Sequence, residues 1–161
     1  MPTVLTERTI ADTLPGHWHV GATNLPLWLE RERHAVSFRF ERESSDPLVI
    51  REQQDFTTTD GKEKVVVRVS RWQRGEFQVR ASRLLGARSG RWSVIGVNGA
   101  GSVVVLKVER SRGVQEGLLV LVRLGSDASE LRSMVAAASG DFGLGPEDFG
   151  SLSWLEIGAR G

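Results

Sequence analysis

Gly16-His17-Trp18 opens the first strand-like segment of the chain, after a short polar lead over residues 9–15. A glycine lets a strand enter a crowded corner, and the tryptophan beside it can plug the end of a small barrel. Arg123 lies near the end of the last apolar run, residues 120–124. An arginine over Trp18 can stack on the indole face and hydrogen-bond the entering backbone. Gly16, Trp18 and Arg123 are therefore predicted to close one end of a barrel.

Beyond this segment, several short apolar runs follow one another, separated by clusters of Gly, Asn, Asp and Ser that are typical of turns. Over residues 36–41, apolar and polar residues alternate, which indicates a strand with one buried face. Turn signals occur at residues 46–47, 59–62 and 98–101. The last run, residues 115–124, is apolar on both faces. Counted together, the runs predict about eight antiparallel strands.

The period of the pattern changes after the last of these runs. Residues 127–130 (Asp-Ala-Ser-Glu) are typical of a helix N-cap with its capping-box partner. Apolar residues at helical spacing then predict an amphipathic helix of about three turns that ends at Gly140. Its apolar face consists of Leu131, Met134, Val135 and Ala138. Residues 152–157 are predicted to form a short last strand.

This order of strands, helix and final strand resembles that of the lipocalins, and the resemblance covers nearly the whole chain. Gly16 and Trp18 match the first lipocalin motif, and Arg123 matches the last. The middle motif is usually a Thr-Asp-Tyr-like triplet, whereas this chain has Asn98-Gly99-Ala100-Gly101 there and contains no tyrosine. The resemblance implies one all-β domain over residues 1–161, an up-and-down barrel of about eight strands with a C-terminal helix. A β-sandwich could contain the same strands, but that fold does not account for the single late helix.

The composition argues against several classes of protein. Lys and Arg total 21 and Asp and Glu total 20, so the net charge of +1 argues against a nucleic-acid-binding surface. The chain has no cysteine for a disulfide or a thiolate zinc site. His17 and His19 have no acidic partner, so neither a metal nor another cofactor is predicted. No apolar run could span a bilayer and residues 1–12 lack a signal-peptide core, which predicts a cytoplasmic protein.

A lipocalin barrel holds one small ligand, so its inward-facing residues define the predicted site. Their apolar and aromatic character predicts a hydrophobic, polyketide-like ligand. The predicted ligand-binding residues of the strands are Val36, Phe38, Phe40, Ile50, Val67, Val69, Phe77, Val79, Trp92 and Val94. Periodicity does not separate a lined cavity from a packed interior, so the same residues could instead fill a closed core.

Residues 24–29 form an apolar segment after the first strand, in which Pro26 prevents a regular strand or helix. In lipocalins this connection folds over the open end of the barrel as a lid. Leu25, Leu27 and Trp28 are therefore predicted to contact the ligand. A flap packed shut over the barrel, or a contact within a homodimer, would account for the same residues.

Two polar residues, Glu52 and Gln54, fall in phase with the apolar residues of the third run. On an inward face they would orient a ligand carbonyl or hydroxyl, because buried polar groups need hydrogen-bond partners. Burial disfavours the charged form of a carboxyl group, which makes Glu52 a candidate general acid or base. Glu52 and the ligand-orienting Gln54 are therefore the candidate catalytic residues. Alternatively, the strand bends, or its opposite face with Val49, Arg51 and Gln53 is inward.

Two functions suit such a barrel. The first is a cytoplasmic carrier or sequestering protein that binds one small hydrophobic molecule. The second is a cofactor-independent cyclase or isomerase of a natural-product pathway, which would fold a flexible polyene by proximity and orientation, as in pericyclic or Diels–Alder reactions. A structural or partner-binding barrel without a ligand is the third possibility. Neither nucleic acid nor membrane insertion is predicted.

Overall fold

The computed structural model describes residues 5–25, 33–80, 90–110, 116–127 and 129–155, without the side chains of 33–35. Its helices are α1 (Glu7–Thr13), α2 (Leu131–Ala137) and α3 (Pro146–Ser151). Its strands are β1 (Gly16–Thr23), β2 (Arg33–Ser45), β3 (Leu48–Thr58), β4 (Glu63–Gln73), β5 (Glu76–Val79), β6 (Gly90–Val97), β7 (Val103–Val108), β8 (Gly117–Arg123) and β9 (Ser153–Trp154).

The strands β1 to β8 form one closed antiparallel barrel. Each strand pairs with the next along the chain from β2 to β8, and β1 pairs with both β8 and β2, which closes the sheet. β9 is added beside β1, at Ala22 and Thr23. The predicted up-and-down barrel, followed by a helix and a short last strand, is therefore confirmed.

In an up-and-down barrel the connections alternate between the two ends. The β2–β3, β4–β5 and β6–β7 turns lie at one end, here called the base, together with α1. Gly101 in the β6–β7 turn is close to α1, since a Cβ there would lie 3.7 Å from Thr13 Cγ2. The opposite end, here called the mouth, carries the β3–β4 turn, the end of β1 and the start of β8.

Trp18 fills the base of the barrel. Its side chain is completely buried, and its indole N–H donates a hydrogen bond to the carbonyl of Leu14, 2.9 Å away. The guanidinium carbon of Arg123, opposite Trp18 in the β1–β8 ladder, lies 4.2 Å from the ring centroid. A cation at this distance is attracted to the face of the ring. α1 adds Ile10 and Leu14 to the same buried cluster.

Arg123 also ties separate backbone segments together at the base. Its guanidinium donates hydrogen bonds to the carbonyls of Thr13 (2.5 Å), Pro15 (3.1 Å) and Gly101 (3.1 Å). Charge-assisted hydrogen bonds of this kind are stronger than neutral ones. The turn that stands in place of the expected middle motif therefore contributes a backbone carbonyl to the closed end.

Gly16 provides the space that Arg123 occupies. Its φ is +137°, a conformation that side chains disfavour, and a Cβ at this position would lie 2.4 Å from Nη1 of Arg123. Any larger residue would have to displace the guanidinium from Trp18. Glycine is thus required here by both backbone conformation and packing.

The outer wall of β7 and β8 is buried as well as the inner wall. A second apolar cluster outside the barrel consists of Ala22, Val103, Val105, Leu118, Val120, Val122, Leu131, Val135, Phe142, Leu144 and Leu152. Gly96 lets this layer approach closely, because a Cβ there would lie 2.3 Å from the Cα of Phe142. The cover provided by α2 and the following residues explains why the last apolar run has two apolar faces.

α2 is shorter than predicted and begins without the expected cap. It has seven residues, and Glu130 is its N-cap without a side-chain capping bond. Asp127 instead accepts a hydrogen bond from the backbone N–H of Ser129 at 3.0 Å, and this bond lowers the pKa of Asp127. The prediction of a capping box was wrong, because Asp127 is engaged in a local turn before the helix begins.

Two short helices, α1 and α3, were not predicted. Thr6 caps α1 by accepting a hydrogen bond from the N–H of Thr9 at 3.1 Å. α3 has Pro146 in its first turn, and Asp148 accepts a hydrogen bond from the N–H of Gly145 at 3.0 Å. Helices of six or seven residues are too short to show a clear helical period, so only these capping residues could have indicated them.

Candidate ligand-binding site

Most of the predicted lining residues meet inside the barrel. Phe38, Phe40, Ile50, Phe77, Val79, Trp92, Val94 and Leu25 are buried in one inner cluster, and the half-buried Val36 packs against it. Leu27 and Trp28 lie outside the described residues. Leu25 sits near the mouth, where a Cβ on Gly117 would lie 2.3 Å from its Cδ2 atom.

Five aromatic rings pack against one another across the lower interior. We call this group, Phe38, Phe40, Trp72, Phe77 and Trp92, the aromatic floor. Phe40 and Trp92 come from β2 and β6, which are not neighbours in the sheet, yet their ring centroids are 5.9 Å apart. Trp92 stacks on Phe77 with ring centroids 4.3 Å apart, slightly closer than the roughly 4.5–7 Å usual for favourable ring pairs.

The remaining contacts complete the aromatic floor. Phe38 stacks beside Phe40 at 5.9 Å, and Trp72 meets the edge of Phe77 at 5.1 Å. The Trp92 indole N–H donates to the Ser70 hydroxyl at 2.9 Å, which satisfies both buried groups. At this level the alternative of a filled core is correct, because the rings touch each other across the interior.

On β2, β4 and β7, inward side chains become more exposed towards the mouth, whereas the inward Gln54 and Phe56 of β3 stay buried. On β2, Phe40 and Phe38 are buried, whereas Val36 is half-buried. On β7, Leu106 is buried, whereas Val108 is half-buried. We call the space between the aromatic floor and the mouth the upper chamber.

β4 shows the same gradient, and its register corrects two predicted residues. Ser70 pairs with the inward Ile50 and is fully buried, so Arg68 and Val66, both half-buried, also face inward. Val67 and Val69 therefore face outward, opposite Gln53 and Arg51. Their assignment to the ligand-binding face was wrong.

The reason for this error is the composition of β4. Its outward face carries three valines, of which Val65 is 58% exposed. β-Branched residues favour strands whether or not their face is buried. Ser70 and Trp72 alternate with the valines along β4. These two residues could have indicated that the face opposite the valines points inward.

Glu52 and Gln54 face the interior from β3. They are 5% and 2% exposed, and they lie beside Phe40 and Phe38 in the β2–β3 ladder. The Gln54 amide nitrogen donates a hydrogen bond to Oε2 of Glu52. The alternative in which Val49 and the other residues of the opposite face point inward is excluded by this register.

Besides Ser70, Arg68 is a further polar residue on the inward face of β4, and it was not predicted. It is the direct partner of Glu52 in the β3–β4 ladder, and Val66 is the partner of Gln54. Directly opposed residues on one face of an antiparallel pair have Cβ atoms about 4.5–5.5 Å apart. The upper chamber therefore has a carboxylate, an amide and a guanidinium on adjacent positions of its wall.

Further lining residues come from β1, β7 and β8. The inward apolar residues of these strands are Val20, Val104, Leu106, Leu119 and Leu121. Because β7 and β8 are apolar on both faces, their period-two pattern does not indicate which face is inward. The register with β1, which pairs Leu121 with Val20, is needed to assign them.

The described residues contain no group of three His, Asp or Glu side chains placed to hold a metal ion. His17 is exposed on the outside of β1, where its imidazole contacts the guanidinium of Arg39. Within the same described part of the chain, no helix is long and apolar enough to cross a membrane.

No protein-family model and no curated protein matches the sequence. Solved structures are nevertheless similar. Lobster apocrustacyanin A1 is 8% identical, with a TM-score of 0.62 over 92% of this chain and 79% of that one. The cockroach allergen Per a 4 is 10% identical, with a TM-score of 0.62 over 92% and 87% of the two chains.

Japanin from Rhipicephalus appendiculatus, in a structure bound to cholesterol, is 12% identical, with a TM-score of 0.58 over 94% of this chain and 98% of japanin. At such low identities the comparisons establish the fold alone. Together with the closed barrel and its Trp18–Arg123 base, they show that the chain has a lipocalin-like fold.

Proposed function

We propose that the protein binds one small hydrophobic molecule in the upper chamber, as a carrier or sequestering protein. The observation that supports this most is the change on β2 and β7 from buried inward residues, such as Phe40 and Leu106, to the half-buried Val36 and Val108 near the mouth. A barrel of eight strands is wide enough to hold one small ligand. Ligand binding there would cover the apolar surface of Val36 and Val108, which is favourable because it removes that surface from water.

The fold of japanin supports the same proposal. That protein was solved with cholesterol, a compact and largely apolar molecule. The similarity between japanin and this chain is in the backbone. The class of ligand that this chain binds is therefore inferred from the residues that line its own barrel. The aliphatic residues on the mouth side of the aromatic floor include Val36, Val79 and Val108.

Diphenylhexatriene, a pure hydrocarbon that fluoresces strongly only in apolar surroundings, tests the proposal. We expect one molecule to bind per chain. Replacing Val36 by Trp should weaken binding at least about tenfold, equivalent to about 1.4 kcal/mol, because the indole would occupy the upper chamber. Fluorescence titration measures both the stoichiometry and the affinity.

Val67→Trp is the matched control, because Val67 is also half-buried on a neighbouring part of the sheet but faces outward. Its affinity should stay within about twofold of the original value, a difference of about 0.4 kcal/mol. If both variants bind as well as the original protein, or if both lose binding equally, the probe does not occupy the upper chamber and the proposal is wrong.

The Glu52–Gln54 pair supports a second candidate, a cofactor-independent cyclase or isomerase that uses the same chamber. A positioned carboxyl group can act as an acid or base on a bound molecule. The two functions differ in what happens to the bound molecule. A carrier returns a polyene substrate unchanged after prolonged incubation, whereas the enzyme returns a cyclised or isomerised product of the same mass, and Glu52→Gln should slow that conversion.

A further inference from the structure

The upper chamber is not uniformly apolar, because three polar side chains interrupt one side of its wall. We call Glu52, Gln54 and Arg68 the polar patch. Glu52 and Gln54 are joined by a hydrogen bond, and Arg68 is the ladder partner of Glu52. The opposite strands β7 and β8 contribute only apolar inward residues at their centres, such as Leu106 and Leu119. Among the described inward residues, the hydrogen-bonding groups of the chamber are therefore concentrated on the side of β3 and β4.

The polar patch offers both acceptors and donors. The Glu52 carboxylate and the Gln54 carbonyl are acceptors, whereas the Gln54 amide and the Arg68 guanidinium are donors. The Gln54 amide nitrogen already donates one hydrogen bond to Oε2 of Glu52. A hydroxyl or carboxamide on the ligand can both donate to Glu52 and accept from Arg68. A carboxylate can only accept, and it has the same charge as Glu52.

We propose that the protein selects amphipathic ligands whose polar group is a neutral hydroxyl or carboxamide, and that Glu52 disfavours ligands with a carboxylate. This inference rests on the proposed function and names the ligand class of the same site. Charges interact more strongly in a low-dielectric interior than in water. A ligand carboxylate beside the buried Glu52 would therefore be repelled, and the half-buried Arg68, which is the ladder partner of Glu52, would offset this only in part.

A series of ligands with one alkyl chain and different head groups tests the proposal. 1-Dodecanol, dodecanamide and dodecanoic acid are each used to displace diphenylhexatriene from the full-length protein at pH 7. We expect the alcohol and the amide to displace the probe at concentrations at least about tenfold lower than the acid, the scale of one hydrogen bond to a charged group.

Two substitutions in the polar patch should shift this preference in opposite directions. Glu52→Gln keeps the shape of the side chain but removes the negative charge. The affinity for the alcohol should then exceed the affinity for the acid by no more than about twofold. Arg68→Gln removes the positive charge, so the affinity for the alcohol relative to the acid should rise above that of the original protein. The second variant alters a half-buried residue, and it therefore tests the proposal even if Glu52→Gln folds poorly.

Asp55→Asn is the matched control, because Asp55 is a carboxylate of the same strand that faces outward, where it accepts hydrogen bonds from Gln53. It should leave the head-group preference unchanged. Equal binding of the acid and the alcohol, or a preference that Asp55→Asn alters as much as Glu52→Gln, would overturn the inference while the proposed function stands. Failure of diphenylhexatriene itself to bind would overturn both.

Discussion

Trp18→Ala is expected to lower the free energy of unfolding by about 3–5 kcal/mol, the range for truncating a large aromatic side chain in a packed core. Trp18 is completely buried at the base, where its ring carries the guanidinium of Arg123 and its N–H is bonded to the Leu14 carbonyl. The variant would leave a cavity, an unsatisfied carbonyl and an arginine without its ring. Urea unfolding followed by far-ultraviolet circular dichroism measures the loss.

Trp154→Ala is the control for this prediction. Trp154 is half-buried in β9 outside the barrel, where it packs against Phe149 with ring centroids 5.7 Å apart. Its removal should cost about 1–2 kcal/mol, since less apolar surface is buried there. Folded Trp18→Ala protein should still bind diphenylhexatriene, because Trp18 belongs to the base. A loss of stability no larger than that of Trp154→Ala would contradict the role assigned to Trp18.

Phe40→Ala is expected to destabilise the protein by about 3–5 kcal/mol and to deepen the ligand-binding chamber. Phe40 is the ring that links Phe38 on its own strand to Trp92 on β6. Without it the aromatic floor is interrupted, and the cavity left behind adjoins the upper chamber. A longer ligand should then gain contacts that the original protein cannot offer.

Diphenyloctatetraene, one double bond longer than diphenylhexatriene, measures this gain. In Phe40→Ala the affinity for the longer probe relative to the shorter one should rise about tenfold, which corresponds to about 1.4 kcal/mol. Phe149→Ala, which truncates a half-buried ring outside the barrel, should leave that ratio unchanged. An unchanged ratio in Phe40→Ala would mean that the aromatic floor does not bound the ligand-binding space.

The sequence was sufficient to predict the barrel and its closed base. Alternation on β2 placed Phe38 and Phe40 on the buried face, whereas on β3 it left two faces possible, and the pairing with β2 shows that Glu52 and Gln54 face inward. β4 was assigned the wrong face, since valines occupy its outward positions and Arg68 its inward ones. Local alternation identifies two faces of a strand, whereas only the pairing of strands decides which face is inside.

Which inward residues pack against one another at the aromatic floor could not be predicted from the sequence. Phe40, Phe77 and Val79 all belong to one periodic pattern, but their heights in the barrel depend on the register between strands. Contact between Phe40 and Trp92 joins residues 52 positions apart in the sequence on strands that are not neighbours. Long-range packing of this kind leaves no local signal.

The most direct test of the central claim is to locate bound diphenylhexatriene by nuclear Overhauser effects to the methyl groups of Val and Leu. If the molecule lies in the upper chamber, its protons will show contacts to Val36, Val79 and Val108. Contacts confined to Val65, Val67 and Val69 would instead place it on the outer wall of β4, where Val65 is 58% exposed. That result would contradict ligand binding inside the barrel.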